Sequence, residues 1–300
     1  MGRPRVLIMF VLPGARRATI SPSDLRVATV CEWALLREFD AVLGRMASHR
    51  DPDPLAKRLA ALGVAHEQTV LRTLAAEHRG RVVTLRRAER HTAEGIAAAA
   101  EATLAALADP GIEVVCQGAV AGERFLGYAD FLVRDDAGRW ALWDAKLARE
   151  ASVPALLQLA AYAHALGSAG VAIAPNAGLV LGDGDREEFP LTEIIPVYLR
   201  RRDRLVALLD RHQDAGAPAR WGDHETHACG RCAECAEQLA RSGDVALVAG
   251  VHTSQRKRLL AAGVTRLDDL ADRVEPVPEL SDAHLARLRA QAQMQRAQRE

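Results

Sequence analysis

The sequence predicts an α/β fold: a mixed central sheet flanked by helices, with a small α-helical unit at the C-terminal end. Three observations predict it. Alanine is abundant and aromatic residues are only 4% of the 300, a composition that favours helices. Strand-like segments cluster between residues 112 and 147, after a largely helical first third and before a further helix and strand, which describes a sheet covered by helices. Around 215–226 the pattern fails in a stretch rich in Gly, Pro and His, read as a domain boundary. Length alone suggests about two domains at roughly 150 residues each.

In chain order, the apolar residues of 21–44 recur at roughly helical spacing, with Cys31 among them. Asp53 as N-cap and Pro54 at the first position open a second helix through Leu55, Leu59, His66, Leu71 and Leu74. A short strand at 81–85 precedes an Ala-rich helix at 93–107, closed by Asp109, Pro110 and Gly111. Strands are expected at 112–117, 124–133 and 139–147. The last two flank Asp135, Asp136, Ala137 and Gly138, which predicts a hairpin. A helix at 154–166, a strand at 178–181 and a helix at 194–212 complete a first domain at 1–214. A cysteine segment follows at 215–240. The end of the chain, 241–300, reads as a two-helix unit, a Pro-containing linker and a polar terminal helix.

Lys plus Arg and Asp plus Glu both total 39, so bulk charge argues for no polyanionic partner, and a nucleic-acid site has to be local. Few rings are present for base stacking. Five cysteines, an odd number, argue against a secreted disulfide framework. The apolar run at 6–12 is too short to cross a bilayer, which takes about 20 residues. It reads as a buried strand rather than a signal peptide, so the expectation is a cytoplasmic protein without a membrane partner.

The hairpin carries the strongest chemistry. If it is centred on Ala137, Asp130 and Asp144 oppose each other, and Lys146, two residues beyond Asp144, shares their face. Two carboxylates and an ammonium would converge within apolar strands. Such like charges need a shared proton or a divalent cation, and Mg²⁺ or Mn²⁺ suits hard carboxylate oxygens. A solvated ion-pair cluster on a surface hairpin is the plainer alternative.

These residues, an Asp, a turn, then Asp144-Ala145-Lys146 and a helix holding Gln158 and Tyr162, resemble the PD-(D/E)xK nucleases in the branch of the RecB and AddB nuclease domains. The resemblance runs from about residue 21 to 235. It implies a restriction-endonuclease-like core in which His66, Asp130 and Asp144 hold the metal. Asp130, Asp144, Lys146, Gln158 and Tyr162 would act in cleavage, with Gln158 and Tyr162 on one helical face at a spacing of four. The sequence departs from the pattern in carrying Ala129-Asp130 in place of Pro-Asp, and Asp144 where many relatives have Glu.

Cys229, Cys232 and Cys235 lie at intervals of three. In the same branch one cysteine before the core and three after it hold a 4Fe-4S cluster, and the resemblance assigns these places to Cys31 and the trio. Relatives have a wider gap before the last cysteine. Zinc is the rival, because His224 and His227 precede the trio and His227 would complete a local set of four. Cys116, in an apolar strand, reads as a small buried hydrophobe.

Residues 247–264 resemble a helix-hairpin-helix motif, with Gly250 and His252 at its turn and Arg256, Lys257 and Arg258 after it. Backbone N-H groups at such a turn can hold a phosphate. The whole sequence is therefore read as a metal-dependent DNA nuclease with an iron-sulfur staple. It would act on single strands or ends without sequence preference, in DNA repair, recombination or end processing, with a helicase module as a further partner. The competing class is a non-catalytic, zinc-stabilised DNA-binding scaffold.

Overall fold

The computed structural model describes residues 11, 16–47, 54–88, 92–223 and 225–298. The N-terminal apolar run apart from Val11, the N-cap Asp53, and His224 lie outside them. The chain divides into two compact units, one made of residues up to Val30 with Glu38–Ala219, the other of Cys31–Arg37 with Arg220 onward. The division differs from the expected 1–214, 215–240 and 241–300 in placing Cys31–Arg37 with the C-terminal residues.

The first unit is built on a six-stranded mixed sheet in chain order: β1 (Val82–Thr84), β2 (Val114–Gly122), β3 (Phe125–Arg134), β4 (Trp140–Ala145), β5 (Asn176–Val180) and β6 (Arg186–Pro190). β1 and β2 run parallel, as do β4 and β5, while β2-β3, β3-β4 and β5-β6 are antiparallel. In β4 Trp140, Leu142 and Asp144 are buried and Ala141, Trp143 and Ala145 half-buried, the alternation that period-two geometry requires. Helix α3 (Pro54–Glu77) packs Val70 and Leu74 on Val114, Cys116, Phe131 and Val180. Helix α5 (Val153–Ser168) carries a nearly continuous buried face that includes Leu157, Leu159, Ala161 and Tyr162. Tyr162 comes so close to Gly127 that a Cβ there would lie 2.5 Å from the ring, so only glycine allows this approach of helix to strand.

Several elements differ from the sequence reading, among them β2, which runs to Gly122 where the strand was expected to end at 117. The helix expected over 21–44 is broken into α1 (Pro22–Val30) and α2 (Glu32–Val42). Cys31 sits at the break, and its Sγ accepts from Ala34 N at 3.4 Å, capping α2 as a serine would. β6 was not foreseen. Its Arg186-Glu187-Glu188 run reads as loop, yet charged residues are what an edge strand carries to avoid pairing with other chains. Helix α6 (Leu191–Asp214) begins directly after it, three residues earlier than expected. Helix α4 (Ala93–Ala108) matches its sequence reading and is capped by Thr92, whose hydroxyl accepts from Gly95 N at 3.1 Å.

Asp40 is fully buried and accepts from His212 Nε2 at 2.7 Å and from Ala219 N at 2.8 Å, with Arg45 3.7 Å away. Burial opposes its ionisation, but these donors together hold the carboxyl below its ordinary range. A depressed carboxyl contributes stability that is present above the unfolded-state value, about 3.9, and lost as pH falls through the folded-state value. Asp40→Ala is expected to cost about 3 kcal/mol at pH 7 by leaving buried donors unpaired. Urea unfolding against pH should show the deficit shrinking on acidification below about pH 4.

The second unit holds α7 (Ala233–Ser242), a 3₁₀ turn (Val245–Leu247), α8 (Thr253–Ala261), α9 (Leu267–Asp272) and α10 (Asp282–Ala297). They enclose a core of Val245, Val248, Leu259, Leu267, Leu270, Leu285 and Leu288, among others. Among the described residues no helix is long and apolar enough to cross a membrane.

Candidate active site

The β3-β4 ladder pairs Leu132 with Leu142 and Phe131 with Trp143, and one further step sets Asp130 against Asp144, centred on Ala137 as the sequence predicts. Ala145 N donates to Asp130 Oδ2 at 3.2 Å. Asp144, 1% exposed, is ion-paired with the Lys146 ammonium. From α5, Gln158 Nε2 donates to Asp144 Oδ1 at 2.8 Å while its Oε1 accepts from Lys146 Nζ at 3.2 Å. Gln158 Nε2 also lies 3.4 Å from the Tyr162 hydroxyl, which donates to Tyr128 O at 2.8 Å. Asp130, Asp144, Lys146, Gln158 and Tyr162 are thus brought together.

His66 is placed differently. Its Nε2 lies 3.2 Å from Val180 O, the carbonyl that also accepts from Lys146 N at 2.9 Å. With that nitrogen on a backbone acceptor, His66, Asp130 and Asp144 do not form a set of ligand atoms within 4.8 Å of one another. From α3 it is the neighbouring Glu67 that is linked to Asp130, through Gln117. Gln117 on β2 bridges the two, its Nε2 donating to Glu67 and lying 3.4 Å from Asp130 Oδ1. Gln117 Oε1 in turn accepts from Arg87 Nε at 2.7 Å. Sequence reasoning passed over Glu67, Gln117 and Arg87; the one available signal was a polar residue inside the apolar run Val114-Val115-Cys116-Gln117.

The electrostatics follow from three acids around one ammonium, with Asp144 buried and the others half-buried. Burial and then the Asp130 charge push the Asp144 carboxyl up to about 8, against the pull of Lys146. Burial, then Asp130, also raises Glu67. Burial works against the Lys146 ammonium, but Asp144 and Asp130 outweigh it and hold the proton on. Burial, then the two aspartates, lifts the Tyr162 hydroxyl well above its ordinary value, so it remains a donor. The cluster binds more protons than its members would when apart. Asp144 Oδ2 faces the Lys146 ammonium as an ion pair. Two opposed carboxylates are a hard oxygen donor set of the kind that suits Mg²⁺ or Mn²⁺.

A second cluster lies wholly within the second unit. Cys31, Cys229, Cys232 and Cys235 bring their sulfurs within 4.8 Å of one another and could bind a metal or cluster. Cys232 is the N-cap of α7 and Cys235 lies in its first turn. Cys31 Sγ is 3.5 Å from Cys235 and 3.8 Å from Cys232, and Cys229 is 4.0 Å from Cys235. Backbone N-H groups of Arg231 and Cys232 point at Cys229 Sγ at 3.4 and 3.3 Å. Burial opposes its ionisation, yet these donors bring the Cys229 thiol down to about 7. His227 contributes backbone only, its carbonyl accepting from Trp33 N at 3.0 Å, and its ring is not in the set. The fourth position therefore goes to Cys31. Four thiolates on one zinc, at bonds of about 2.3 Å, span tetrahedral edges of about 3.8 Å. A 4Fe-4S cubane places each thiolate on a separate iron and widens those edges to roughly 6 Å.

In the helix-hairpin-helix-like region Gly250 has a φ of 91°, and His252 caps α8 with its N-H donating to Gln255 Oε1 at 2.7 Å. Arg256 does not face outward: its Nε and Nη2 bind Asp244 at 2.8 and 2.5 Å, and it lies over Trp221. Arg258 is held by the Glu279 carbonyl at 2.9 Å. Lys257 is exposed. Because Asp244 is 4% exposed, Arg256→Ala leaves a buried unpaired carboxylate. It is expected to destabilise the unit by about 3 kcal/mol, read by thermal unfolding, whatever its effect on DNA.

No protein-family model matches this chain, and a search of curated proteins finds no similar sequence.

Proposed function

We propose that the first unit is a metal-dependent nuclease that hydrolyses phosphodiester bonds in DNA. The single observation that carries this reading is the convergence of two opposed aspartates and a lysine on one hairpin with the α5 glutamine that bonds both Asp144 and Lys146. Asp130 and Asp144 would hold one or two Mg²⁺ or Mn²⁺ ions. Such an ion supplies an activated water and neutralises charge on the phosphate. Lys146, kept protonated by the aspartates, is the donor for the attacking water or the developing oxyanion. Gln158 fixes Asp144 and Lys146 relative to each other through two hydrogen bonds. Tyr162, held on Tyr128 O, sets the strand that bears Asp130. The four cysteines form a structural centre. The family resemblance favours a 4Fe-4S cluster there, and the sulfur spacing favours one zinc ion.

The test is incubation of metal-replete protein with end-labelled single strands, blunt duplex and circular DNA, with Mg²⁺, Mn²⁺ or EDTA. Cleavage with a divalent metal and none with EDTA supports the nuclease. Binding without cleavage under every condition would replace it with the DNA-binding scaffold.

A further inference from the structure

Gln117 sits inside β2 with a φ of 57°. Residues other than glycine seldom enter this left-handed region, and it does not match strand geometry. Such a conformation persists where the surroundings over-determine it. What surrounds Gln117 is a set of polar contacts. Its Nε2 faces Glu67 and Asp130, and its Oε1 accepts both Nε and Nη2 of Arg87. The Arg87 guanidinium lies 5.0 Å from the centre of the Tyr128 ring. Tyr128 OH accepts from Ala88 N at 3.2 Å, and its carbonyl holds Tyr162. The segment bearing Arg87 is therefore fastened to the strand residue that the α5 tyrosine grips.

Arg87 is exposed, whereas Lys146 is engaged with Asp144 and Gln158. Its hydrogen-bond acceptor is a neutral amide oxygen, and a phosphate oxygen is a stronger one for a guanidinium fork. We propose that Arg87 binds a backbone phosphate of the nucleic-acid substrate at the mouth of the carboxylate site, and that Gln117 is the positioning residue that aims it. The inference rests on the nuclease reading and adds to it a residue for substrate affinity. A plainer role for Arg87, offsetting the Glu67 charge, makes different predictions for salt dependence.

The experiment compares wild type, Arg87→Ala, Arg87→Lys, Gln117→Gly and Arg87→Ala/Gln117→Gly. It measures steady-state cleavage of a labelled single strand in Mn²⁺, binding of the same strand in EDTA across salt concentrations, and thermal midpoints. Arg87→Ala should raise KM and the binding Kd about tenfold with kcat little changed. The slope of log affinity against log salt should fall by about 0.7, the value for one single-strand phosphate contact. Arg87→Lys should recover part of the affinity. Gln117→Gly should melt at or above the wild-type temperature, since glycine adopts positive φ at no steric cost, yet raise KM as Arg87→Ala does. The double variant should be no worse than Arg87→Ala alone. If wild type cleaves while Arg87→Ala keeps its KM, Kd and salt slope, the inference falls and the nuclease stands. If Gln117→Gly leaves KM unchanged, the positioning role is overturned. If wild type cuts none of the substrates with either metal, the nuclease reading falls and takes this inference with it.

Discussion

Asp144→Asn is expected to reduce cleavage by at least ~10³-fold, about 4 kcal/mol of transition-state stabilisation, while the thermal midpoint stays within a few degrees of wild type. The two effects separate because the groups around Asp144 conflict. Its carboxyl is 1% exposed, opposes Asp130 and is pushed up to about 8, so a neutral amide of the same shape replaces a group that burial already disfavours as an anion. Gln158 keeps an acceptor. Lys146 loses its ion pair, but its side chain is about one-third exposed at 32% and can turn toward water. Function has no such compensation, because the amide cannot serve as a hard anionic ligand. Calorimetric titration with Mn²⁺ should show binding weakened in the variant alongside the lost activity. Purified Asp144→Asn that retains most of its cleavage would remove the hairpin from the active site.

How much of this site could be read in the sequence depended on whether its residues share an element. Asp130, Asp144 and Lys146 sit on one hairpin whose turn is fixed by Asp135, its side chain accepting from Ala137 N at 3.0 Å and Arg139 N at 2.8 Å. With the turn known, the register follows, and period two settles the face. Gln158 and Tyr162 came from the family resemblance, and helical spacing says only that they share a face. Glu67, Gln117 and Arg87 come from three separate elements and meet only in the folded chain. The positive φ that turns Gln117 toward them is set by tertiary packing. His66 shows the reverse difficulty: its place on the helix before the hairpin was legible, but one residue of helix rotation, about 100°, decides whether His66 or Glu67 faces Gln117 and, through it, Asp130. The edge strand β6 was missed because its charges suppress edge pairing, and the same charges erase the strand signal. The break at Cys31 was missed because a thiol is an unusual helix cap.

Cys31→Ser is expected to remove the metal bound by the second unit and to lower thermal stability and soluble yield sharply, while His227→Ala retains the metal. Sequence spacing alone could not choose between these residues, since His227 is two positions before Cys229 and Cys31 is 198 residues away. The sulfur separations do choose, with Cys31 Sγ 3.5 Å from Cys235 and 3.8 Å from Cys232. The effect should be large for two reasons. A metal bound only by the folded chain adds its binding free energy to stability. A bond across a loop of this length also restricts the unfolded ensemble strongly, by about 5 kcal/mol in the chain-entropy picture developed for disulfides. Cys116→Ser, outside the set, should keep the metal. Elemental analysis of anaerobically purified protein then identifies the occupant. One zinc per chain in a colourless protein matches the short sulfur edges. Four irons with absorbance near 400 nm match the family resemblance and would require the four cysteines to move apart on assembly, because thiolates on a cubane cannot approach as closely as those on one ion. Full metal in Cys31→Ser together with its loss in His227→Ala would overturn the four-cysteine site under either occupant.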